Sequence, residues 1–378
     1  MSEKRVETID VFRGIAILLV VLFHFTSRLP PEALNVIGTP APQVPFGWIG
    51  VHFFFAISGY CIYLTLEKSA TVQLFLARRF SRIYPAFFAA VVFLFLYGLL
   101  APVPSVPSAD FHGEPLTLFD VARNFVFLGD GGWVNGSFWS IAVEVKFYVL
   151  LAIMAVLVPD RARLAVLFSW VALAVVPFWI VAVFAAEAGR SGLPRKLTEL
   201  LIIAPYLPFF AVGILARMRF TRAMPTDLLL TMTTFAAIAV IALSAWQTSH
   251  EPAATAITTL VGIGLLGMLI AFADHRPIPH IPYLSGGLAR IGLVSYSWYL
   301  IHENLGVTFL ANLNRFLPST VSVVLAMGMT LLIAWVFSEL VEWRFRKPAE
   351  KVAMGAFDWL GSRVARLRSA PLAEKRST

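Results

Sequence analysis

The chain has 378 residues, of which 58% are hydrophobic and only 14% charged, and its mean hydropathy is +0.78. Usage so far from that of soluble domains excludes a water-soluble globular protein and implies an integral membrane protein. The net charge of +8 does not indicate nucleic acid, because the basic residues fall in short clusters between apolar runs; the single cysteine, Cys61, reads as a small core residue and excludes a disulfide framework or a thiolate metal cage.

With about 20 apolar residues needed per crossing, the expected fold class is all-α and polytopic. About ten transmembrane helices are expected, at residues 11–29, 48–66, 83–101, 138–158, 164–184, 200–216, 228–247, 255–273, 288–309 and 320–341. The first run reads as a retained helix rather than a signal peptide. Arg13 interrupts its start, Arg28 follows its end, and no small-x-small cleavage pattern lies beyond. Lys4, Arg5, Lys68, Arg78, Arg79, Arg82, Arg161, Arg163, Arg217, Arg219 and Arg222 then gather on one side with the tail residues Arg344, Arg346, Lys347 and Lys351. Positive-inside bias therefore gives N-in and C-in, against one exception, the loop with Arg190, Arg195 and Lys196. No repeat is visible. The largest outside loop, 102–137, can cap a cavity but hardly fold alone. The expected organisation is one transmembrane domain, 1–341, and a basic amphipathic cytoplasmic tail, 342–378.

Four stretches carry ionisable groups at costly depth. In "FRGIAILLVVLFHF", Arg13 and His24 are eleven positions apart, so they share nearly one helix face at an axial separation of about 16 Å. Arg13 falls near the inner rim, where it could simply snorkel or pair with Asp10. His24 falls beyond the midplane, where a neutral imidazole is tolerated and can still abstract a proton. In "FLARRFSRIYP", Arg79 and Arg82 share a face. Topology alone would explain them, yet arginines at helical spacing also suit planar phosphate groups of a cytoplasmic ligand. In "GSFWSIAVEVKFYVL", Glu144 lies in apolar surroundings, with Trp139, Ser140 and Tyr148 adding hydrogen-bonding groups; Lys146 projects elsewhere. In "SYSWYLIHENLG", His302, followed by Glu303, is either a second polar lining residue or an interfacial one. The seven histidines show no metal-ligand spacing, so no metal is expected.

Taken together, in this order and over nearly the whole chain, these motifs resemble the membrane acyltransferase-3 family. The opening "IDVFRG" is similar to Asp-x-x-Arg-Gly, and Arg13 with His24 gives the Arg-x10-His spacing. "GVHFFFAISGY" follows, then "RRFSRIYP" with Arg-x-x-Arg as Arg79 and Arg82, "FWSIAVEVKFY" like Trp-Ser-x-x-x-Glu, and "SYSWYLIH". The departure comes after Glu144, where Val145 and Lys146 replace a second Glu and a Gln.

The resemblance implies transfer of an acyl group, usually acetyl, from cytoplasmic acyl-coenzyme A (acetyl-CoA) to a hydroxyl of an extracytoplasmic glycan or glycosylated small molecule, by a multi-pass protein of the inner (plasma) membrane. Arg13, Arg79 and Arg82 would hold the donor's phosphates while the pantetheine arm reaches inward. His24 would deprotonate the acceptor or itself take the acyl group. Glu144 would orient His24 or, in the rival assignment, pair with Arg13. Trp139, Ser140, Tyr148 and His302 are substrate-site candidates by type. A proton-coupled secondary transporter is the competing class, but it should show internal repeats or paired broken helices, and the sequence suggests neither.

Overall fold

The computed structural model describes residues 7–100, 117–129, 132–221, 226–272 and 284–369, and every regular element among them is helical. The chain opens with α1 (Glu7–Thr26), α2 (Ile49–Glu67), entered through a 3-10 turn at Pro45–Trp48, and α3 (Val72–Leu100). After the short α4 (Leu118–Asn124) come α5 (Phe138–Leu157), α6 (Arg161–Glu187), α7 (Leu193–Leu200), α8 (Leu207–Thr221), α9 (Asp227–Ser249) and α10 (Pro252–Phe272). The last are α11 (Leu284–Leu293), α12 (Ser295–Leu313), α13 (Ser319–Phe337) and α14 (Arg344–Ser369).

Eight helical segments among the described residues are long and apolar enough to cross a bilayer, and they coincide with eight of the ten expected spans. The protein is a polytopic membrane protein. The other two expected spans are helical but different. At 200–216 the helix begins only at Leu207 and has 15 residues, after a turn in which Ile203 takes a left-handed φ of 51°. This α8 is buried almost throughout and packs on α2, α6 and α9. A helix wrapped by protein on all sides needs no lipid-matched length.

The expected span 288–309 is broken at Val294 into α11 and α12, a broken helix that the sequence reading did not anticipate. α11 lies against α1 at backbone contact: a Cβ on Gly14 would strike the carbonyl of Leu288, and one on Gly292 the carbonyl of Asp10. The break redirects α12 into the centre of the bundle, where it carries the buried polar residues Ser297, His302, Glu303, Asn304 and Thr308. Such groups are costly in a bilayer unless partnered.

Asn304 and the carbonyl of Leu300 find their partners in the segment before α5. Asn124 bonds the carbonyl of Gly132 and the amide of Val134; Asn135 donates to Leu300 O and Asn304 to Val134 O, at 2.8–3.0 Å. Residues 117–129 and 132–137 are thus stitched to α12; 102–116 and 130–131 lie outside the described residues. At the other end, α13 runs through a π-helical turn, Ser338–Trp343, into α14 without interruption. The boundary expected between 341 and 342 therefore falls inside one helical rod. α14 packs on α3, where Arg78 lies 3.8 Å from Glu350. Of the expected basic residues, Lys4, Arg5 and Arg222 lie outside the described residues.

Candidate active site

Two adjoining spaces share walls from α1, α2 and α3; the wider is completed by α11 and the start of α14, the narrower by α5 and α12. The wider is a chamber of about 630 Å³ whose wall includes Asp10, Arg13, Cys61, Thr65, Arg79, Arg82, Trp343 and Arg346. The narrower, about 70 Å³, shares Arg13, Cys61, Arg79 and Arg82 with it and continues past Ser58, Glu144 and Tyr148 to Ser140 and Tyr299. Cys61, expected as a core residue, is partly buried and lines both spaces.

The three arginines are not equivalent. Arg82 forms a buried ion pair with Glu342, which is held in turn by Ser297 Oγ at 2.7 Å, and its guanidinium lies over the Tyr296 ring. Its charge is already balanced by protein. Arg79 donates to Thr65 Oγ1 at 2.9 Å, but its buried Nε finds no hydrogen-bond partner among the described residues. Arg13 makes no ion pair among the described residues although it lines both spaces. Arg13 and Arg79 therefore offer donors toward the shared throat that an anionic group would satisfy.

His24 and His302 meet behind Tyr299, outside the lining of both spaces, with ring centroids 4.8 Å apart and His24 Nδ1 3.3 Å from His302 Nε2. Two carbonyls fix their tautomers. His302 Nδ1 is 2.9 Å from Tyr299 O, and His24 Nδ1 is 2.8 Å from Val20 O. A carbonyl only accepts, so both Nδ1 atoms carry hydrogen, and the lone pair of His302 Nε2 faces His24 Nδ1–H. The remaining nitrogen, His24 Nε2, is basic and lies 3.6 Å from Glu303 Oε1. Glu303 is 3% exposed and His24 11%. Room for this carboxylate depends on Gly136, since a Cβ there would stand 2.7 Å from Oε1.

The expected residues divide accordingly. His24 and His302 come together, and His302 is wholly buried rather than interfacial. Glu144 does not meet His24; it accepts from Ser58 Oγ at 2.9 Å and Tyr148 OH at 2.7 Å in the cavity wall. It does not pair with Arg13 either. Ser140 Oγ shares a 2.6 Å hydrogen bond with Tyr299 OH at the head of the cavity. Trp139 is not among the residues lining the narrow cavity and packs instead against Tyr206, tilted, and Phe55, edge-on. Lys146, at the position where the motif departs, donates to Leu200 O at the end of α7.

The carboxylate beside His24 is Glu303, visible in the sequence as an ionisable group in an apolar run but assigned no role there. Its depth was as strong a signal as that of Glu144. Tyr299 is the side chain common to both regions, lining the cavity while its ring lies 5.6 Å from that of His302. Glu342, Trp343 and Arg346 carried no signal beyond tail composition, because only the π turn aims them at the bundle.

Over 164 residues, 39% of the chain, it is 29% identical to the peptidoglycan O-acetyltransferase OatA of Listeria monocytogenes. It is 27% identical over 79% of its length to the putative membrane-bound transacylase BcsY of Komagataeibacter xylinus, and 26% identical over 44% to an O-acetyl transferase of Shigella phage Sf6. The matched stretches span 24%, 72% and 51% of those relatives. No solved structure gives a significant match. The family model described as "Acyltransferase domain" matches residues 6–339, nearly the whole chain, and the protein belongs to that acyltransferase family.

Proposed function

We propose that the protein transfers an acyl group, acetyl, from cytoplasmic acyl-coenzyme A to a hydroxyl of a carbohydrate or glycoconjugate on the opposite side of the inner (plasma) membrane. The observation that carries this reading is the basic His24 Nε2 beside Glu303, set behind Tyr299 and His302 at the end of a cavity that adjoins an arginine-lined chamber. The N-in orientation that puts the chamber on the cytoplasmic side rests on the positive-inside pattern. The carbohydrate acceptor rests on the O-acetyl-transferring relatives.

In this reading the donor's anionic head stays in the chamber at Arg13 and Arg79, and its thioester arm threads the narrow cavity. Tyr299, hydrogen-bonded to Ser140, must swing aside for the thioester to reach His24. The acceptor oxygen forms a bond to the thioester carbonyl carbon while its proton passes to His24 Nε2. The tetrahedral intermediate then collapses with cleavage of the carbon–sulfur bond, and the leaving thiolate takes the proton back from the imidazolium. Glu303 stabilises that imidazolium, as a carboxylate does for other catalytic histidines, and His302 holds the ring in the productive tautomer.

The test is thiol release by purified protein from acetyl-CoA with a mixed glycan acceptor, followed by mass spectrometry of the acceptor. Acetylated product from the wild type and a turnover lowered at least about 10²-fold in a folded His24→Ala variant is the expected outcome. Equal turnover by that variant would remove His24 from the mechanism.

A further inference from the structure

A third space, of about 400 Å³, lies between α3, α5 and α14. Its wall is aliphatic and aromatic: among the described lining residues only Arg79, Tyr84 and Tyr148 carry polar side-chain atoms. The space is a groove on the flank of the bundle, since Phe80 and Val149 in its wall are 42% and 49% exposed. Exposed Phe88, four residues beyond Tyr84, and exposed Ile153, four beyond Val149, continue the apolar surface along each helix. Both α3 and α5 are long and apolar enough to cross a bilayer, so this surface faces hydrocarbon and the groove is filled from the side by lipid.

The third wall says which lipid. Val352, Ala353, Ala356 and Phe357 of α14 line the groove and share one helix face, with two alanines where larger side chains would close it. Arg344, Lys347 and Lys351 are exposed on the opposite face. From Arg344 to Arg363 five basic residues stand against Glu350 and Asp358, and a basic amphipathic helix directly after a span attracts anionic headgroups. We propose that the groove seats one hydrocarbon tail of an anionic membrane phospholipid, whose headgroup meets the basic α14. The wall between groove and narrow cavity is one side chain thick, because Arg79, Ile83 and Tyr148 line both. The Arg79 guanidinium lies 5.9 Å from the centre of the Tyr148 ring, and Tyr148 is held by Glu144. A tail packed on the Arg79 stem and the Tyr148 ring excludes water from that side and holds the guanidinium toward the throat. The lipid thus positions Arg79 for the donor. That consequence rests on the donor reading above; the seat itself does not.

The test takes the full chain from membranes in mild detergent and weighs it intact by native mass spectrometry. The wild type should carry a phosphatidylglycerol adduct. Ala356→Trp, which puts an indole in the groove, should lose it, and Leu332→Trp, on the exposed face of α13, should keep it. No adduct on the wild type, or an undiminished one on folded Ala356→Trp, would overturn the seat; if a thermal melt shows Ala356→Trp unfolded, Ala353→Leu is judged by the same criterion. An adduct with the mass of a zwitterionic lipid or a fatty acid would overturn the occupant. Delipidated protein is then placed in nanodiscs of phosphatidylcholine alone or mixed with phosphatidylglycerol, and acetyl-CoA affinity is measured by calorimetry. Phosphatidylglycerol should tighten binding to the wild type by about 5-fold or more, as in ordinary coupling between sites, and should leave Ala356→Trp unmoved. Equal wild-type affinity in the two nanodiscs would overturn the positioning of Arg79. If acetyl-CoA does not bind at all, the donor reading fails by itself, and the adduct still decides the seat.

Discussion

His24 works, in the proposed mechanism, through a single nitrogen. Val20 O and His302 occupy the Nδ1 side, which leaves Nε2 for chemistry. Removing the ring by His24→Ala should lower turnover by about 10²- to 10⁴-fold, the usual worth of a positioned general base, while donor affinity measured by calorimetry stays at the wild-type value. A thermal melt in parallel shows that the variant is folded. Glu303→Gln keeps shape but removes the charge opposite the imidazolium. It should lower kcat at saturating donor more than Glu144→Gln does, since Glu144 serves Ser58 and Tyr148. The opposite ranking would return Glu144 to the role expected from the sequence. Gly136→Ala is the subtle variant: its Cβ at 2.7 Å from Oε1 must displace the Glu303 carboxylate. Turnover should fall toward that of Glu303→Gln, at a stability cost of about 1–3 kcal/mol for overpacking.

Between elements, the arginines of α3 are expected to part company. Arg82 joins α3 to the π turn through a buried ion pair, and removing one partner of such a pair leaves an uncompensated charge costing about 3–5 kcal/mol. Arg82→Ala should therefore lower the melting temperature, and the double variant Arg82→Ala/Glu342→Gln should regain much of the loss. Arg79→Ala should leave the melting temperature nearly unchanged and weaken donor binding instead, as added salt should in the wild type. If both arginines affect only donor affinity, the ion pair is not structural. The placement of α12 depends on the same logic of partnered polarity. Its Asn304 and the carbonyl of Leu300 are met by Val134 and Asn135, so the segment before α5 is an inner wall of the site.

For the molecule as a whole, the direction of transfer rests on orientation. The N-in and C-in arrangement predicts that protease added to sealed inverted membrane vesicles removes an epitope tag at the C-terminus, and that protease added to right-side-out vesicles does not. The reverse pattern would put the arginine chamber outside and exclude a cytoplasmic donor. The continuous rod from α13 through α14 also makes the C-terminal segment part of the chamber, through Trp343 and Arg346.

The membrane class, the helical fold and the eight regular spans were legible in the sequence, because an apolar run of sufficient length has few other ways to satisfy its backbone in lipid. The pair Arg13 and His24 was legible too, since both lie on one helix and helical period fixes their relative direction. The partner of His24 was not. Glu144 and Glu303 are equally conspicuous as carboxylates in apolar runs, and which one reaches the imidazole depends on how α5 and α12 pack. That is set by the break at Val294, by backbone contact between α1 and α11 at Gly14 and Gly292, and by the absence of a side chain at Gly136. The meeting of Arg82 with Glu342 and the placement of Trp343 in the chamber wall go with a π turn in one helix, a change of register that hydrophobic periodicity does not reveal. Local sequence determines which groups are buried; only tertiary packing decides which of them meet, because contact depends on the relative rotation and depth of helices far apart in the chain.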